Sequence, residues 1–277
     1  MKPWQCMMEA LRSFSWRGYL PLLPILAAQW LYLFLGLNLG QVWGMATAGT
    51  IASWIVGTAA LQYPAFLEVL PLTFSYVETV TFVFGGAIAL PMIVNAVWAT
   101  CTGGAGGGEE RAARIRGAYV PTFIALATSL AVTLGWQVLV IRYLPRSLAF
   151  VLGSPVQITA LTWCLSVLVG YAITTLVIYV PVAAIEERRG LGGTLREGLI
   201  LGRRYFLKTY FLALLLSLPA LIFQVVVQMS GTLLALRTRP ENAAYILLAY
   251  AALSSLATYF VWNMATRIHH AAGGKRP

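Results

Sequence analysis

The chain contains no aspartate, and its only histidines, His269 and His270, sit near one end. These absences disfavour Ser-His hydrolases, HExxH metalloproteases, aspartate-based alcohol phosphotransferases and haem held by paired histidines, all of which need such groups within reach of one another. Cys6, Cys101 and Cys164 are scattered and form neither a CxxC pair nor a metal-ligand spacing. Charge is scarce as well: 10% of the 277 residues are Asp, Glu, Lys or Arg, against roughly a quarter in a soluble domain. No lysine or arginine lies between Arg17 and Arg111. The glycine-rich run beginning CTGGAGGG at Cys101 lacks the GK[ST] of a phosphate loop and reads as a flexible joint. The start, MKPWQCMMEALRSF, has no long apolar region followed by a small-residue cleavage site. The first membrane span is therefore expected to serve as its own targeting signal.

What fills the chain instead is apolar sequence, 59% hydrophobic with a mean hydropathy of +0.77. The runs are long and continuous, where a closed barrel needs alternating strands of about ten residues. The expected fold is all-α: a single integral membrane domain over residues 1–277, a polytopic bundle of six transmembrane helices. The spans are placed at about residues 19–37, 76–100, 119–141, 156–185, 205–229 and 243–264. Pro21 and Pro24 are expected to bend the first. Residues 40–71, rich in Ala, Gly and Thr around 45–61, read as an external, partly embedded or re-entrant hairpin rather than a seventh span. Making them span would move the arginine-rich linkers to the outside. Residues 142–155 read as a short external loop, and the polar end containing His269 and His270 as a solvated tail.

The net charge of +10 has its cause in these arginines. Cytoplasmic ends of membrane helices collect Lys and Arg and face anionic head groups. With both termini inside, only Arg142, Arg146, Arg237 and Arg239 fall outside. That places the protein in a bacterial cytoplasmic membrane, multi-pass, with cytoplasmic termini. No groove-reading or base-stacking module supports nucleic-acid binding.

A unit recurs three times: a charged helical stretch, basic residues, a tyrosine, then a span. The copies are EALRSFSWRGYLP, ERAARIRGAYVP and TLREGLILGRRYFLK, and they align Tyr19, Tyr119 and Tyr205. The bundle is thus three helix pairs, each preceded by a cytoplasmic amphipathic helix. In the first, Trp4, Met7, Met8, Leu11 and Phe14 share a stripe over residues 3–17. In the third, Thr194 and Glu197 have the spacing of a capping box, and the leucines are expected in lipid with the arginines in water.

In layout nearly the whole chain, and in residues the linker PVAAIEERRGLGGTLREGLILGRRYF at 181–206, resembles bacterial membrane proteins of the glycerophosphoryl diester phosphodiesterase membrane-domain type and related six-helix families. The catalytic barrel of the namesake is absent, so the resemblance implies a membrane module and carries over no catalytic residue. Three functions are weighed. The first is a non-enzymatic accessory, assembly or membrane-organising factor without cofactor or metal. It grips anionic lipid or a partner subunit, or forms a homo-oligomer, through Arg12, Arg17, Arg114, Arg116, Arg188, Arg189, Arg196, Arg203, Arg204 and Lys208. The alternative is a permease or lipid translocator whose polar path contains Asn95 and Asn263; amides there also serve as packing contacts between helices. An enzyme ranks third. Glu78 is expected at the outer end of the second span, and Glu186 and Glu187 as an inner-face cap partnered by Arg188 and Arg189.

Overall fold

The computed structural model describes residues 2–38, 41–58, 65–103, 108–148, 155–186, 190–233 and 242–273. Among them there is no strand. Helices long and apolar enough to cross a membrane cover Trp16–Leu37, Leu70–Cys101, Gly108–Val140, Cys164–Glu186, Leu191–Val225 and Ala244–Ala272. The protein is an all-α, six-helix, multi-pass membrane protein.

Helix α1 (Pro3–Arg12) opens with proline in its first turn, where the missing N–H costs nothing. It buries Cys6, Met7 and Ala10 and leaves Trp4 and Leu11 exposed. The expected stripe is therefore divided: one edge packs on protein and the other stays open. The first span joins α2 (Trp16–Tyr19), a 3₁₀ turn at Leu20–Leu22 and α3 (Leu23–Leu37). Pro21 sits in that tighter turn, at the end where the bend was expected.

The segment expected to form the hairpin is more regular than anticipated. Helix α4 (Val42–Gly44), a π-helical turn at Met45–Gly49 and α5 (Thr50–Val56) form a short run that bonds its own backbone. At about 1.5 Å per residue this run is too short for a hydrocarbon core of about 30 Å. Gly44 makes the entry possible, since a Cβ there would lie 2.1 Å from the Asn38 carbonyl oxygen. Ala48 and Ala52 pack against Leu33 of α3, while Val42 and Trp54 are exposed. Helix α6 (Ala65–Cys101) begins before Pro71, so the hairpin is shorter than residues 40–71.

Helices α7 (Gly108–Leu148) and α10 (Leu191–Leu233) correct the expected linkers. Their charged stretches run without a break into the spans instead of forming separate surface helices. Arg, Glu, Leu and Ala are all strong helix formers, so a change from charged to apolar sequence gives the helix no reason to stop. Helix α10, with 43 residues, is about 65 Å long, twice the hydrocarbon thickness. Residues 142–148 likewise continue α7 rather than opening a loop. Thr194 is not a cap: α10 starts three residues earlier, and the Thr194 N–H already bonds the Gly190 carbonyl.

The fourth span is broken into α8 (Pro155–Val177) and α9 (Val180–Glu186). Pro181 explains the break, because its ring excludes the helical carbonyl four residues back, that of Val177. Helix α11 (Asn242–Gly273) is the last described element and carries His269 and His270 in its final turns.

The chain forms two compact units. Unit 1 comprises residues 1–13, 90–214 and 262–277, and unit 2 residues 14–89 and 215–261; α6, α10 and α11 contribute to both. In unit 1, α7 packs on α8 and α9, and Ala125, Val177 and Val180 form a small core with Leu195 against it. In unit 2 the core joins Leu26, Tyr32 and Leu33 of α3, Ala48 and Ala52, Leu70 and Phe74 of α6, and Ala244, Leu247 and Ala251 of α11.

Candidate functional sites: a cationic helix face and two polar clusters

The two sides of α10's first half follow from its sequence. Thr194, Gly198, Gly202, Tyr205 and Thr209 fall on one side at helical spacing, and all are buried. The two glycines form a groove for the broken fourth span. A Cβ on Gly198 would lie 2.6 Å from Val180 Cα, and one on Gly202 2.1 Å from the Leu176 carbonyl oxygen. Small residues four apart allow this approach of backbones. Tyr179, at the break, shares a 2.6 Å hydrogen bond with the Thr209 hydroxyl and packs against Tyr205. The sequence reading missed this groove, although Gly198 and Gly202 carry its spacing.

The opposite side of α10 presents Arg196, Arg203, Arg204 and Lys208, interleaved with Ile200, Leu207 and Phe211, all exposed. The Arg204 guanidinium lies over the Tyr205 ring at 5.7 Å. Of the other cationic candidates, Arg12, Arg17 and Arg116 are exposed. Arg114 is half-buried and pairs with Glu110 at 2.9 Å, one turn back. Arg188 and Arg189 lie outside the described residues. The three aligned tyrosines occupy different surroundings. Tyr19 is buried and bonded to Ser255, Tyr119 is exposed and stacks on Phe123, and Tyr205 is buried against Tyr179.

A polar cluster in unit 1 joins α1 to the C-terminal part of α11. Arg267 donates from Nη1 to Glu9 Oε2 at 3.2 Å, from Nη2 to Ser13 Oγ at 2.9 Å and from Nε to Asn263 Oδ1 at 2.8 Å. Glu9 is half-exposed, so its ion pair contributes little to stability. Burial of Met7 alone is worth about 1.5–3 kcal/mol, so the apolar face holds α1 and the guanidinium fixes its register. Burial, and then the Glu9 carboxylate, push the Cys6 thiol above its ordinary value.

Two turns of sequence away from Asn263, His269 is 2% exposed. Its Nε2 meets the Glu186 carboxylate, its Nδ1 is buried and finds no hydrogen-bond partner among the described residues, and its ring stacks on Trp98, with His270 edge-on to the same indole. The solvated-tail reading is therefore wrong for His269, and Glu186 reaches a histidine that the sequence did not suggest; its expected partners Arg188 and Arg189 lie outside the described residues. Periodicity gives the signal: Met264, Ala265 and Ile268 continue the buried face, and no Gly or Pro interrupts the helix before Gly273. Among the described residues no group of three His, Cys, Asp or Glu side chains is placed to hold a metal. Asn95 and Asn263 are both buried in unit 1, at 9% and 1% exposure. Asn263 is the amide that steadies Arg267.

The second cluster lies in unit 2, within the spans. Glu78 lies about two turns into the Leu70–Cys101 segment, one of the helices long and apolar enough to cross a membrane. Tyr250 donates to Glu78 Oε2 at 3.2 Å and Ser254 to Oε1 at 3.4 Å, from successive turns of α11. One turn along α6, Thr81 bonds the Val77 and Glu78 carbonyls and accepts from the buried Gln29 amide of α3 at 3.4 Å. No family model, curated protein or solved structure matches the chain.

Proposed function

We propose that this six-helix membrane protein is a non-enzymatic membrane-organising or assembly factor that grips anionic lipid head groups. The observation that carries the reading is the outward face of α10, where Arg196, Arg203, Arg204 and Lys208 are interleaved with Ile200, Leu207 and Phe211, all of them exposed. Such a surface suits the boundary of a bilayer, apolar side chains in acyl chains and guanidinium groups at phosphates. The setting proposed is a bacterial cytoplasmic membrane, with both termini and the basic helix ends in the cytoplasm. The resemblance to the phosphodiesterase membrane domain is compatible with such a module.

The experiment is native mass spectrometry of the purified protein exchanged into mixed micelles of phosphatidylglycerol and phosphatidylcholine. Each basic residue near an anionic surface contributes about 1 kcal/mol. Replacing Arg203, Arg204 and Lys208 together by Gln should therefore weaken phosphatidylglycerol retention by roughly a hundredfold. Equal retention of the two lipids by the wild-type chain would overturn the reading, and retention of a protein subunit in their place would redirect it to a partner. A permease or translocator is the second reading. Glu78 favours it, because ionisable side chains at membrane depth commonly line a path.

A further inference from the structure

We propose that Glu78, Tyr250 and Ser254 form a binding site for one small monovalent cation, a proton or a sodium ion, within the membrane-spanning part of unit 2. The inference does not rest on the lipid-binding reading. Two hydroxyls approach the two oxygens of one carboxylate, at 3.2 and 3.4 Å. Among the described residues no ion pair reaches Glu78. The helices packed around it supply no positive charge. Helix α11, which bonds it, has no ionisable group except tyrosine before Arg267, and α3, which reaches Thr81 one turn along, has none except tyrosine and offers Gln29. Among the described residues Tyr250 is the titratable group that faces the carboxylate.

A bare carboxylate within a membrane-spanning segment is costly. Its charge must be balanced, and among the described residues no cationic side chain pairs with it. The set of oxygens decides what does. One carboxylate neutralises one positive charge, so a divalent ion would leave a net charge in an apolar setting. Carboxylate and hydroxyl oxygens are hard ligands that suit a proton or an alkali ion. Each hydroxyl can rotate from donating to the carboxylate to offering its lone pairs to a bound ion. Thr81 and Gln29 continue the polar strip by one turn, toward a third helix. Both forms of the site share one chemistry, and experiment separates them.

The test uses the full chain in detergent micelles and follows unfolding by tryptophan fluorescence. One series raises Na⁺ to about 100 mM against choline at constant ionic strength; the other lowers the pH from about 8 to about 6 without sodium. A ligand that binds only the folded form raises the melting temperature with its concentration. The wild-type chain should respond in at least one series, sodium in the first marking an alkali-ion site and acid in the second a proton site. Glu78→Gln, which carries no charge to balance, should lose that response while unfolding otherwise normally. Tyr250→Phe keeps the carboxylate and should shift the midpoint of the response by roughly tenfold in cation concentration, the effect of one hydrogen bond to a charged group. A wild-type chain indifferent to both series, or a Glu78→Gln chain that tracks it in both, overturns the proposal. If Glu78→Gln does not fold, an unchanged midpoint in Tyr250→Phe overturns it instead.

Discussion

Replacing Gly202 by alanine tests the packing of the broken fourth span on α10. The added Cβ would stand 2.1 Å from the Leu176 carbonyl oxygen, 2.8 Å from its carbon and 3.0 Å from its Cα. These are backbone atoms of a helix and cannot rotate aside as a side chain can. Restoring an ordinary contact requires α8 to retreat by roughly 1 Å. The same movement would stretch the 2.6 Å Tyr179–Thr209 hydrogen bond beyond bonding distance. Overpacking costs about 1–3 kcal/mol and the buried hydrogen bond about 1 kcal/mol more. For a chain of this size that corresponds to a fall of roughly 5–15 °C in the melting temperature, read by tryptophan fluorescence in detergent. Gly117 and Gly135 of α7 are the controls, since a Cβ at either meets nothing within 4 Å. There alanine relieves the helix of a glycine and should stabilise by about 0.5–1 kcal/mol. A Gly202→Ala chain as stable as wild type, or a Gly135→Ala chain as damaged as Gly202→Ala, would refute the reasoning.

Other expectations follow from the polar clusters. In a chain with Cys101→Ser and Cys164→Ser, Cys6 should react with maleimide more slowly than an exposed thiol and need a higher pH, because burial disfavours its thiolate. Glu9→Gln loosens α1 from Arg267 and removes a neighbouring negative charge, so labelling should accelerate; an unchanged rate would mean that Arg267 does not position α1. His269→Ala and Glu186→Gln should each lower stability by about 1–3 kcal/mol. The double variant should cost clearly less than the two combined; strict additivity would show that the pair does not interact.

The class of fold was legible because hydropathy reports directly on the solvent each segment needs. The six spans emerge from it, and Pro181 and Pro21 sit where α9 begins and where the first span tightens. Helix ends were harder to read. Hydropathy marks where lipid stops, whereas a helix stops only where a backbone hydrogen bond fails. Nothing in the ERAARIRG of α7 or the LREGLILGRR of α10 breaks that ladder. The same confusion set His269 in a tail: polarity suggested water, but the buried face of α11 continues through Ile268 and His269. Partners across the fold, such as Glu9 with Arg267 or Glu78 with Tyr250, are separated by more than 170 residues and leave no local trace. Glycine was read as flexibility in the run after Cys101, and that habit concealed Gly198 and Gly202, which are conspicuous only once a second helix lies upon them.

The account depends most on where the charged helix ends face. Ala112, Gly192 and Ala272 are solvent-accessible positions near the start of α7, the start of α10 and the end of α11. Single cysteines there, in a chain whose own cysteines are replaced by serine, can be probed in intact cells with a membrane-impermeant maleimide. All three should be protected in whole cells and labelled once the membrane is opened. Labelling of the Gly192→Cys chain from outside would put the cationic face of α10 on the wrong side of the bilayer and contradict the account.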